Sequence, residues 1–342
     1  MVFDVPAEHG GALSILEEYY SMALNNEDKS IQWLFVVSKP QLKDAKNVKV
    51  LRYPWVKKSW FHRMFFDYFI SPKLVKKHNV TEILSLQNIT VPRIKNVRQS
   101  VYLHQSLPFA DIKFKFFENR KLWVYQNIIG RLIIRSIKKA DHVIVQTNWM
   151  KDSCIEKTNQ PDSKFDVRPP QTGEIVVGRT FILNEETKKT FFYPAGASYY
   201  KNHRVIVEAC KTLISNGIND FEVILTLNGD ENQHIVDLKN TIVNFKLPIH
   251  FVGKIPRERV FDYYSKAILL FPSYIESSPL PLTEGKLHKT FIIASDCSFS
   301  KEILEDYDKS YLFNWSDSQR LAELINECIS KRINGTNKEE LN

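Results

Sequence analysis

Two glutamates, Glu276 and Glu284, stand eight positions apart between two short apolar runs, residues 268–271 and 291–294. A turn carrying Glu276 follows the first run, and a proline-opened helical stretch carries Glu284, so the segment predicts a strand, a turn, a helix and a second strand. Consecutive buried strands joined by a helix must be parallel, and open parallel sheets bind ligands at the carboxyl ends of their strands. The pattern therefore predicts two carboxylates at that edge, suited to the hydroxyl groups of a sugar and a ribose.

The segment around these glutamates, FPSYIESSPLPLTE at residues 271–284, resembles a family signature of the form FPSxxExxxLPLxE. Retaining GT-B glycosyltransferases of family 4 carry this signature in their C-terminal domain. The resemblance implies that Glu276 contacts the donor sugar and that Glu284 contacts the nucleotide ribose. The residue types alone leave a plainer interpretation open, in which Glu276 caps a helix and Glu284 is a solvated helix residue.

The signature departs from the family pattern directly after Glu276. Relatives usually have Glu-Gly-Phe-Gly-Leu-Pro where this chain has Glu-Ser-Ser-Pro-Leu-Pro, so Pro279 lacks the N–H that a glycine would offer. An anion at this turn must then rely on the neighbouring amides and on the helix dipole behind them. We expect Ser278 and Leu280 to bind the donor through these amides.

The chain as a whole predicts an α/β fold with two domains. Its 342 residues correspond to about two domains, and its 43% hydrophobic content can fill two cores. Strands alternate with helices in both halves, among them a long amphipathic helix over 118–139, which favours doubly wound sheets. The family resemblance implies the GT-B layout, two Rossmann-like domains facing across a cleft, with an acceptor-binding domain at 1–175 and a nucleotide-sugar-binding domain at 176–342.

A glycine pair, Gly10 and Gly11, follows His9 between the first predicted strand and its helix. Glycines at such a turn let backbone amides approach an anion at a helix N-terminus, where the dipole supplies positive potential. The resemblance implies that this turn lies against the donor phosphates or the acceptor. The pair alone is equally compatible with a plain tight turn.

One histidine, His104 in VYLHQSLPF, lies at the end of a predicted strand and before a proline-containing loop. Relatives often place a histidine here, near the donor sugar and the acceptor, which implies hydrogen bonding or charge stabilisation rather than general-base catalysis. The alternative is a histidine that only makes structural hydrogen bonds.

A lysine, Lys201, lies in the first strand-to-helix turn of the second half, GASYYKNH at 196–203. Many relatives have Gly-Arg-x-x-x-Lys at this turn, where both cations hold the pyrophosphate of the nucleotide sugar. Lys201 matches the lysine, but Ala197 stands where the arginine would be, and Arg204 is the nearest substitute. Glu276, His104 and Lys201 make up the predicted catalytic set. The alternative for Lys201 is a solvated lysine at a helix start.

Positive charge is concentrated in the first half of the chain, although the net charge of the whole is +8. Residues 1–170 carry 27 Lys and Arg against 16 Asp and Glu, whereas the remainder carries 20 against 23. The segment 52–69 interleaves cations with aromatic residues, as does 113–123, and such mixing suits a bilayer interface. The residues predicted to face the acceptor or the membrane are Lys57, Lys58, Trp60 and Arg63. The alternative is that the aromatic residues are core and the cations solvated.

The predicted function is a retaining, metal-independent glycosyl transfer from a nucleoside diphosphate sugar to a lipid-linked oligosaccharide, as in bacterial O-antigen, capsule or surface polysaccharide synthesis. No cofactor and no nucleic-acid partner are expected, and the single Asp-x-Asp, Asp306 to Asp308, falls in a predicted loop. The absence of a long apolar stretch predicts a cytoplasmic protein, peripheral on the inner face of the membrane. The alternatives are a transferase to a small soluble acceptor, a nucleotide-sugar epimerase, an inactive scaffold, and a basic binding protein.

Overall fold

The chain divides into two units, each built around its own parallel sheet. The computed structural model describes residues 1–8, 10–28, 30–117, 119–170 and 178–330. The first unit is Met1–Gln171 and the second is Thr172–Asn342. The predicted boundary at 175/176 falls among residues 171–177, outside the described part of the chain.

Seven parallel strands form the sheet of the first unit, in the order β3-β2-β1-β4-β5-β6-β7. Strand order reverses between β1 and β4, so the switch point of this doubly wound sheet lies at their carboxyl ends. The strands are β1 (Val2–Asp4), β2 (Trp33–Val37), β3 (Val48–Arg52), β4 (Glu82–Ser85), β5 (Arg98–Leu103), β6 (His142–Val145) and β7 (Phe165–Val167).

Helices cover both faces of this sheet, as right-handed crossovers on either side of the switch point require. They are α1 (Gly11–Leu24), α2 (Trp60–Phe65), α3 (Ser71–Lys77), α4 (Arg120–Val124), α5 (Gly130–Lys139) and α6 (Asn148–Thr158). Side chains alternate between the two faces, so that Val2 packs in the core beside α1 and Phe3 packs in the core beside α3. Burial of a large apolar side chain such as Phe3 stabilises the fold by roughly 1.5 to 3 kcal/mol.

Two long helical stretches each contain a π-helical turn in the middle. Phe66–Ile70 joins α2 to α3, and Tyr125–Ile129 joins α4 to α5. The predicted helix over 118–139 is therefore confirmed from Arg120 to Lys139, while residue 118 lies outside the described part of the chain. Trp60 meets Tyr125 edge to face, with ring centroids 5.8 Å apart, so the two stretches touch near their N-terminal ends.

Six parallel strands form the sheet of the second unit, in the order β10-β9-β8-β11-β12-β13. Its switch point lies between β8 and β11. The strands are β8 (Thr190–Tyr193), β9 (Glu222–Leu225), β10 (Ile249–Phe251), β11 (Ile268–Phe271), β12 (Ile292–Ser295) and β13 (Ser310–Phe313), and the helices are α7 (His203–Ser215), α8 (Gln233–Asn244), α9 (Arg257–Tyr264), α10 (Leu280–Leu287), α11 (Ser298–Leu304) and α12 (Ser318–Ile329).

The predicted strand, turn, helix and strand around the two glutamates are β11, a turn, α10 and β12. All four residues of β11 are buried, as expected of a strand covered on both faces. Gly285 lets α10 lie close to the sheet, because a Cβ at this position would come within 2.9 Å of Leu269 Cδ2 and 3.3 Å of Ile292 Cδ1. A larger residue at 285 would push α10, and the glutamate on it, away from the strands.

The α/β prediction with two doubly wound sheets is thus confirmed. Within the described part of the chain, no helix combines the length and the apolar character needed to cross a bilayer.

A buried carboxyl group ends β1 at the switch point of the first unit. Asp4 is 1% exposed, and its Oδ1 accepts a hydrogen bond from the Ala7 N–H at 3.3 Å. Burial raises the pKa of Asp4 to about 7, although Arg63 and Lys57 act in the opposite direction. The folded chain therefore holds a proton on Asp4 over a pH range in which the unfolded chain does not.

This burial predicts that the free energy of unfolding falls as the pH rises through the interval between 3.8, the ordinary pKa of Asp4, and about 7. The Asp4 contribution to this fall is about 4 kcal/mol at most. Asp4→Asn keeps an acceptor for the Ala7 N–H but cannot ionise, so the variant should lose less stability over that interval. Urea unfolding near the two ends of the interval measures the difference. An equal loss of unfolding free energy in the two proteins over this interval would contradict a raised pKa at Asp4.

Candidate active site

An ion pair between Lys201 and Glu276 lies at the switch point of the second unit. Lys201 ends the 3-10 turn Tyr199–Lys201 that follows β8, and Glu276 lies in the turn that follows β11. Lys201 Nζ is 2.5 Å from Glu276 Oε1, and the Ser273 hydroxyl lies 2.6 Å from the same oxygen. Both side chains retain some exposure, 21% for Lys201 and 14% for Glu276. The pair can therefore be reached by a ligand that competes for either charge.

Backbone hydrogen bonds hold the two turns together. The Tyr200 carbonyl accepts from the Tyr274 N–H at 3.1 Å and lies 3.2 Å from the Ser273 hydroxyl. Asn202 adopts a left-handed conformation, with φ 59°, and its side-chain amide donates to the Pro272 carbonyl at 3.2 Å. The positions of Lys201 and Glu276 are thus fixed by their own turns rather than by the ion pair alone.

Glu284 lies on the inward face of α10 and is 5% exposed. Its Oε1 accepts from Arg257 Nη2 at 2.7 Å, and its Oε2 accepts from the Tyr264 hydroxyl at 3.0 Å. Burial raises the pKa of Tyr264 well above its ordinary value, and the Glu284 charge adds to the effect, so the hydroxyl stays a donor. Each carboxylate oxygen still has a second lone pair that could accept from a ribose hydroxyl.

Arg257 was not anticipated from the sequence. It begins α9 directly after Pro256, a position at which nothing in the sequence indicates a partner 27 residues away. Its guanidinium also lies 5.2 Å from the Phe261 ring centroid, and its side chain is 49% exposed. Arg257 therefore brings a partly accessible cation to the carboxylate for which the family resemblance implies a ribose contact.

The plainer interpretations of these charged residues are wrong. Glu276 pairs with Lys201 instead of capping a helix, and Glu284 is buried instead of solvated. Lys201 is paired as well, and not a free surface lysine.

The N-terminus of α10 carries no side-chain cap. Leu280 is its first residue and Pro279 its N-cap, at φ −73°, which proline adopts without strain. Ser278 and Leu280 are both half-buried. Pro281 has no N–H, and the Leu282 N–H donates to the Pro279 carbonyl at 3.2 Å. Leu280 therefore supplies the backbone amide that an anion could meet at this helix start, with the helix dipole behind it.

The turn that lacks the arginine of relatives is held by another contact. The Ala197 carbonyl accepts from the Asn232 side-chain amide at 2.9 Å. Arg204 is exposed and lies near His234, whose pKa is lowered first by burial and then by this guanidinium. Lys201 is thus the cation that this turn directs toward Glu276.

In the first unit, Gly10 is the N-cap of α1 and Gly11 is its first residue. Gly10 has φ 66° and ψ −156°, a conformation that favours glycine. Both glycines are exposed, and a Cβ at either one would meet no atom within 4 Å. The turn therefore needs a glycine at 10 for its backbone, and the space beside both glycines is open to a ligand. His9 lies outside the described residues.

His104 follows β5, and Asn88 determines which tautomer its neutral ring adopts. The Asn88 Oδ1 accepts from the backbone N–H groups of His104 at 2.8 Å and of Gln105 at 3.0 Å. The Asn88 amide nitrogen, a donor, therefore faces His104 Nε2 at 3.2 Å. Burial lowers the pKa of His104 to about 4, so the neutral ring carries its hydrogen on Nδ1. This Nδ1 is buried and has no hydrogen-bond partner among the described residues, so its N–H is an unsatisfied donor.

The four residues predicted to face an acceptor or a membrane divide into two pairs. Lys57 donates to the Pro6 carbonyl at 2.6 Å, and Arg63 donates to Asp67 at 2.6 Å, so both are held within the unit. Lys58 and Trp60 are exposed, and Trp60 keeps 54% of its surface. Two of these four side chains thus make contacts within the unit, and the other two are exposed at its surface.

The pairing of Glu284 predicts how substitutions at this position act on stability. Glu284→Ala removes the acceptor of the buried Tyr264 hydroxyl and of Arg257, which should cost about 2 to 4 kcal/mol of unfolding free energy. Glu284→Gln keeps an acceptor and the volume, and should cost less than half as much. Urea unfolding of the three proteins measures both values, and equal stability of the alanine variant and the parent would contradict the buried pairing.

Comparison with known proteins identifies a family match in the second unit and the fold of the chain. Residues 179–340 match the family model "Glycosyl transferases group 1". No curated protein matches the chain in sequence.

Among solved structures, sucrose-phosphate synthase from Thermosynechococcus elongatus has a TM-score of 0.70 at 14% identity, with 96% of this chain and 89% of that chain covered. HepE from Anabaena, in complex with UDP and glucose, has a TM-score of 0.68 at 15% identity, with 97% and 89% covered. WaaG, a glycosyltransferase involved in lipopolysaccharide biosynthesis, has a TM-score of 0.68 at 12% identity, with 96% and 90% covered. The chain therefore has the GT-B fold, and its second unit carries the region shared by the group 1 glycosyl transferases.

Proposed function

We propose that this protein transfers a sugar from a nucleoside diphosphate sugar, with retention of anomeric configuration and without a metal ion. The observation that carries the proposal is the Lys201–Glu276 pair at the switch point of the second unit, with Glu284 on the helix that follows Glu276. Parallel α/β sheets bind ligands at such a point. HepE, which has the same fold, binds UDP and glucose, and that supports a nucleotide sugar as the donor.

The donor makes three contacts in this proposal. Its diphosphate approaches Lys201 and the Leu280 amide at the start of α10, its sugar hydroxyls contact Glu276, and its ribose contacts Glu284. The Lys201–Glu276 pair neutralises the site before the donor arrives. When the donor binds, Lys201 gains phosphate oxygens as further partners, because an ammonium has three donors and can hold a carboxylate and a phosphate together.

Charge stabilisation is the proposed source of catalysis. The bond between the anomeric carbon and the phosphate oxygen breaks, and its electron pair leaves with the nucleoside diphosphate. The acceptor hydroxyl oxygen bonds to the same carbon on the leaving-group side, and its proton passes to the departing phosphate. Lys201 and the α10 dipole are already in position to meet the charge that grows on that phosphate, and such preorganised groups lower a barrier by several kcal/mol.

His104 takes the part of a hydrogen-bond donor in this scheme. Its pKa of about 4 keeps the ring neutral at physiological pH, and its Nδ1–H, which has no partner among the described residues, is the proposed donor. A neutral ring with Nε2 already in contact with Asn88 is a poor general base, which fits retention better than direct displacement with proton abstraction.

A membrane-bound acceptor is proposed from the surface of the first unit. An aromatic patch, defined by Trp60, Phe61, Met64, Phe65, Phe69, Phe116 and Phe117, exposes large apolar side chains, and Phe61 and Phe117 are 84% and 91% exposed. Cations accompany it, because the Arg93 and Arg120 guanidinium groups lie over the Phe69 and Phe116 rings at 5.4 and 5.3 Å. Exposed aromatic residues rimmed by cations suit the interface of an anionic membrane.

This patch favours a lipid-linked oligosaccharide of bacterial surface polysaccharide, O-antigen or capsule synthesis as the acceptor. The protein would then work in the cytoplasm, peripheral on the inner face of the membrane. Product analysis with a lipid pyrophosphate acceptor separates this activity from transfer to a small soluble acceptor and from epimerisation of the nucleotide sugar.

The donor assignment predicts that Lys201→Ala lowers kcat/KM for the donor by at least about 100-fold, because a cation near a phosphate contributes several kcal/mol. Lys266→Ala, which removes an exposed lysine of the same unit, is the matched control and should leave the rate within about twofold. Release of nucleoside diphosphate is the measurement. Near-parental turnover in the Lys201 variant would overturn the role of the ion pair.

The membrane assignment predicts that Phe61→Ser with Phe117→Ser weakens flotation with anionic vesicles by at least about tenfold, since two exposed aromatic residues lose their apolar contact with lipid. Phe245→Ser removes an aromatic residue of the second unit that is 55% exposed, and it should float like the parent. Unchanged flotation of the double variant would contradict insertion of the aromatic patch.

A further inference from the structure

A basic groove of about 450 Å³ opens along α5 in the first unit. It is named here by four of its lining residues, Arg131, Arg135, Lys138 and Lys139. All four side chains are exposed, and their spacing of four, seven and eight residues places them along one side of the helix. None of the residues assigned above to donor, acceptor or aromatic patch lines this groove.

The four cations have no carboxylate partner within the described part of the chain. Lys138 and Lys139 end α5, where the helix dipole favours positive charge. The dipole does not account for Arg131 and Arg135, which lie in the interior of the continuous helical stretch and repel each other at a spacing of four. Four unpaired cations facing one hollow suit an anionic ligand.

The floor of the groove is rigid. Gly130 lets the helix lie against Pro108, since a Cβ at this position would come within 3.2 Å of Pro108 Cβ. The Gln126 side chain donates to the Ile112 carbonyl at 2.6 Å and accepts from the Phe114 N–H at 3.0 Å. The hollow is therefore formed by fixed backbone, and a ligand would have to order only the four long side chains.

We propose that the basic groove binds the phosphate of an anionic phospholipid headgroup. The same continuous helix carries Tyr125, which touches Trp60 of the aromatic patch, and Ile128, which is 50% exposed and stands one turn before Arg131. Exposed apolar side chains are thus followed by exposed cations along one helix. A bilayer presents acyl chains and phosphate groups next to each other in the same way. The inference rests on the proposed membrane association and adds the site at which a headgroup is held.

The test compares two lysine pairs of equal charge. Lys138→Gln with Lys139→Gln removes half of the groove's cations, whereas Lys46→Gln with Lys49→Gln removes two exposed lysines next to and on β3, at the opposite side of the sheet. Sedimentation with vesicles of phosphatidylcholine that contain phosphatidylglycerol should show a roughly 30-fold weaker partition for the groove pair and a change of at most about threefold for the control pair. Arg131→Gln with Arg135→Gln should weaken it at least as much, because the arginines hold a phosphate through two donors.

Several outcomes would overturn the proposal. The first is an equal loss of vesicle binding in the two lysine double variants. The second is equal binding of the parent to vesicles of phosphatidylcholine alone. The third is release of the parent from vesicles by low concentrations of inorganic pyrophosphate, which would indicate a site for soluble phosphate. Preferential binding of the parent to duplex or single-stranded DNA, lost in the groove pair, would assign the groove to nucleic acid instead. Donor turnover is measured separately, so failure of the glycosyl transfer assignment and failure of the headgroup site are distinguishable.

Discussion

The ion pair between Lys201 and Glu276 is the interaction on which the interpretation of the second unit depends. It joins the turns that follow β8 and β11, the two strands between which the strand order of the sheet reverses. The turns are held together by the Tyr200 carbonyl and by the side chain of Asn202, so the two charged residues are positioned by these contacts as well as by their own ion pair. The partial exposure of both side chains leaves this pair accessible from solvent.

Glu284, on the helix that follows Glu276, is also held by contacts with other elements of the second unit. Gly285 allows α10 to approach the sheet, and Arg257 with the Tyr264 hydroxyl then holds the carboxylate on its buried side. Without these partners, a carboxylate at 5% exposure would be costly to keep ionised. The two hydrogen bonds therefore fix the orientation of the carboxylate on α10.

Much of this arrangement could be predicted from residues close together in the chain. The buried run of β11, the proline-opened α10 and the glutamates at 276 and 284 all follow local patterns of apolarity, proline and turn residues. Contacts between distant residues could not be predicted, because no local pattern indicates that Lys201 meets a glutamate 75 positions away or that Arg257 meets Glu284. The helices over Trp60–Lys77 and the short β7 were also missed, since cations and aromatic residues obscure the apolar period in the first and three residues are too few to show one in the second.

The most direct measurement is a crystal structure of the protein with a bound nucleoside diphosphate sugar. We expect phosphate oxygens within hydrogen-bond distance of Lys201 Nζ and of the Leu280 amide, the sugar in contact with Glu276, and the ribose in contact with Glu284 while Arg257 stays in place. A donor bound elsewhere, with the Lys201–Glu276 pair closed and untouched, would contradict it.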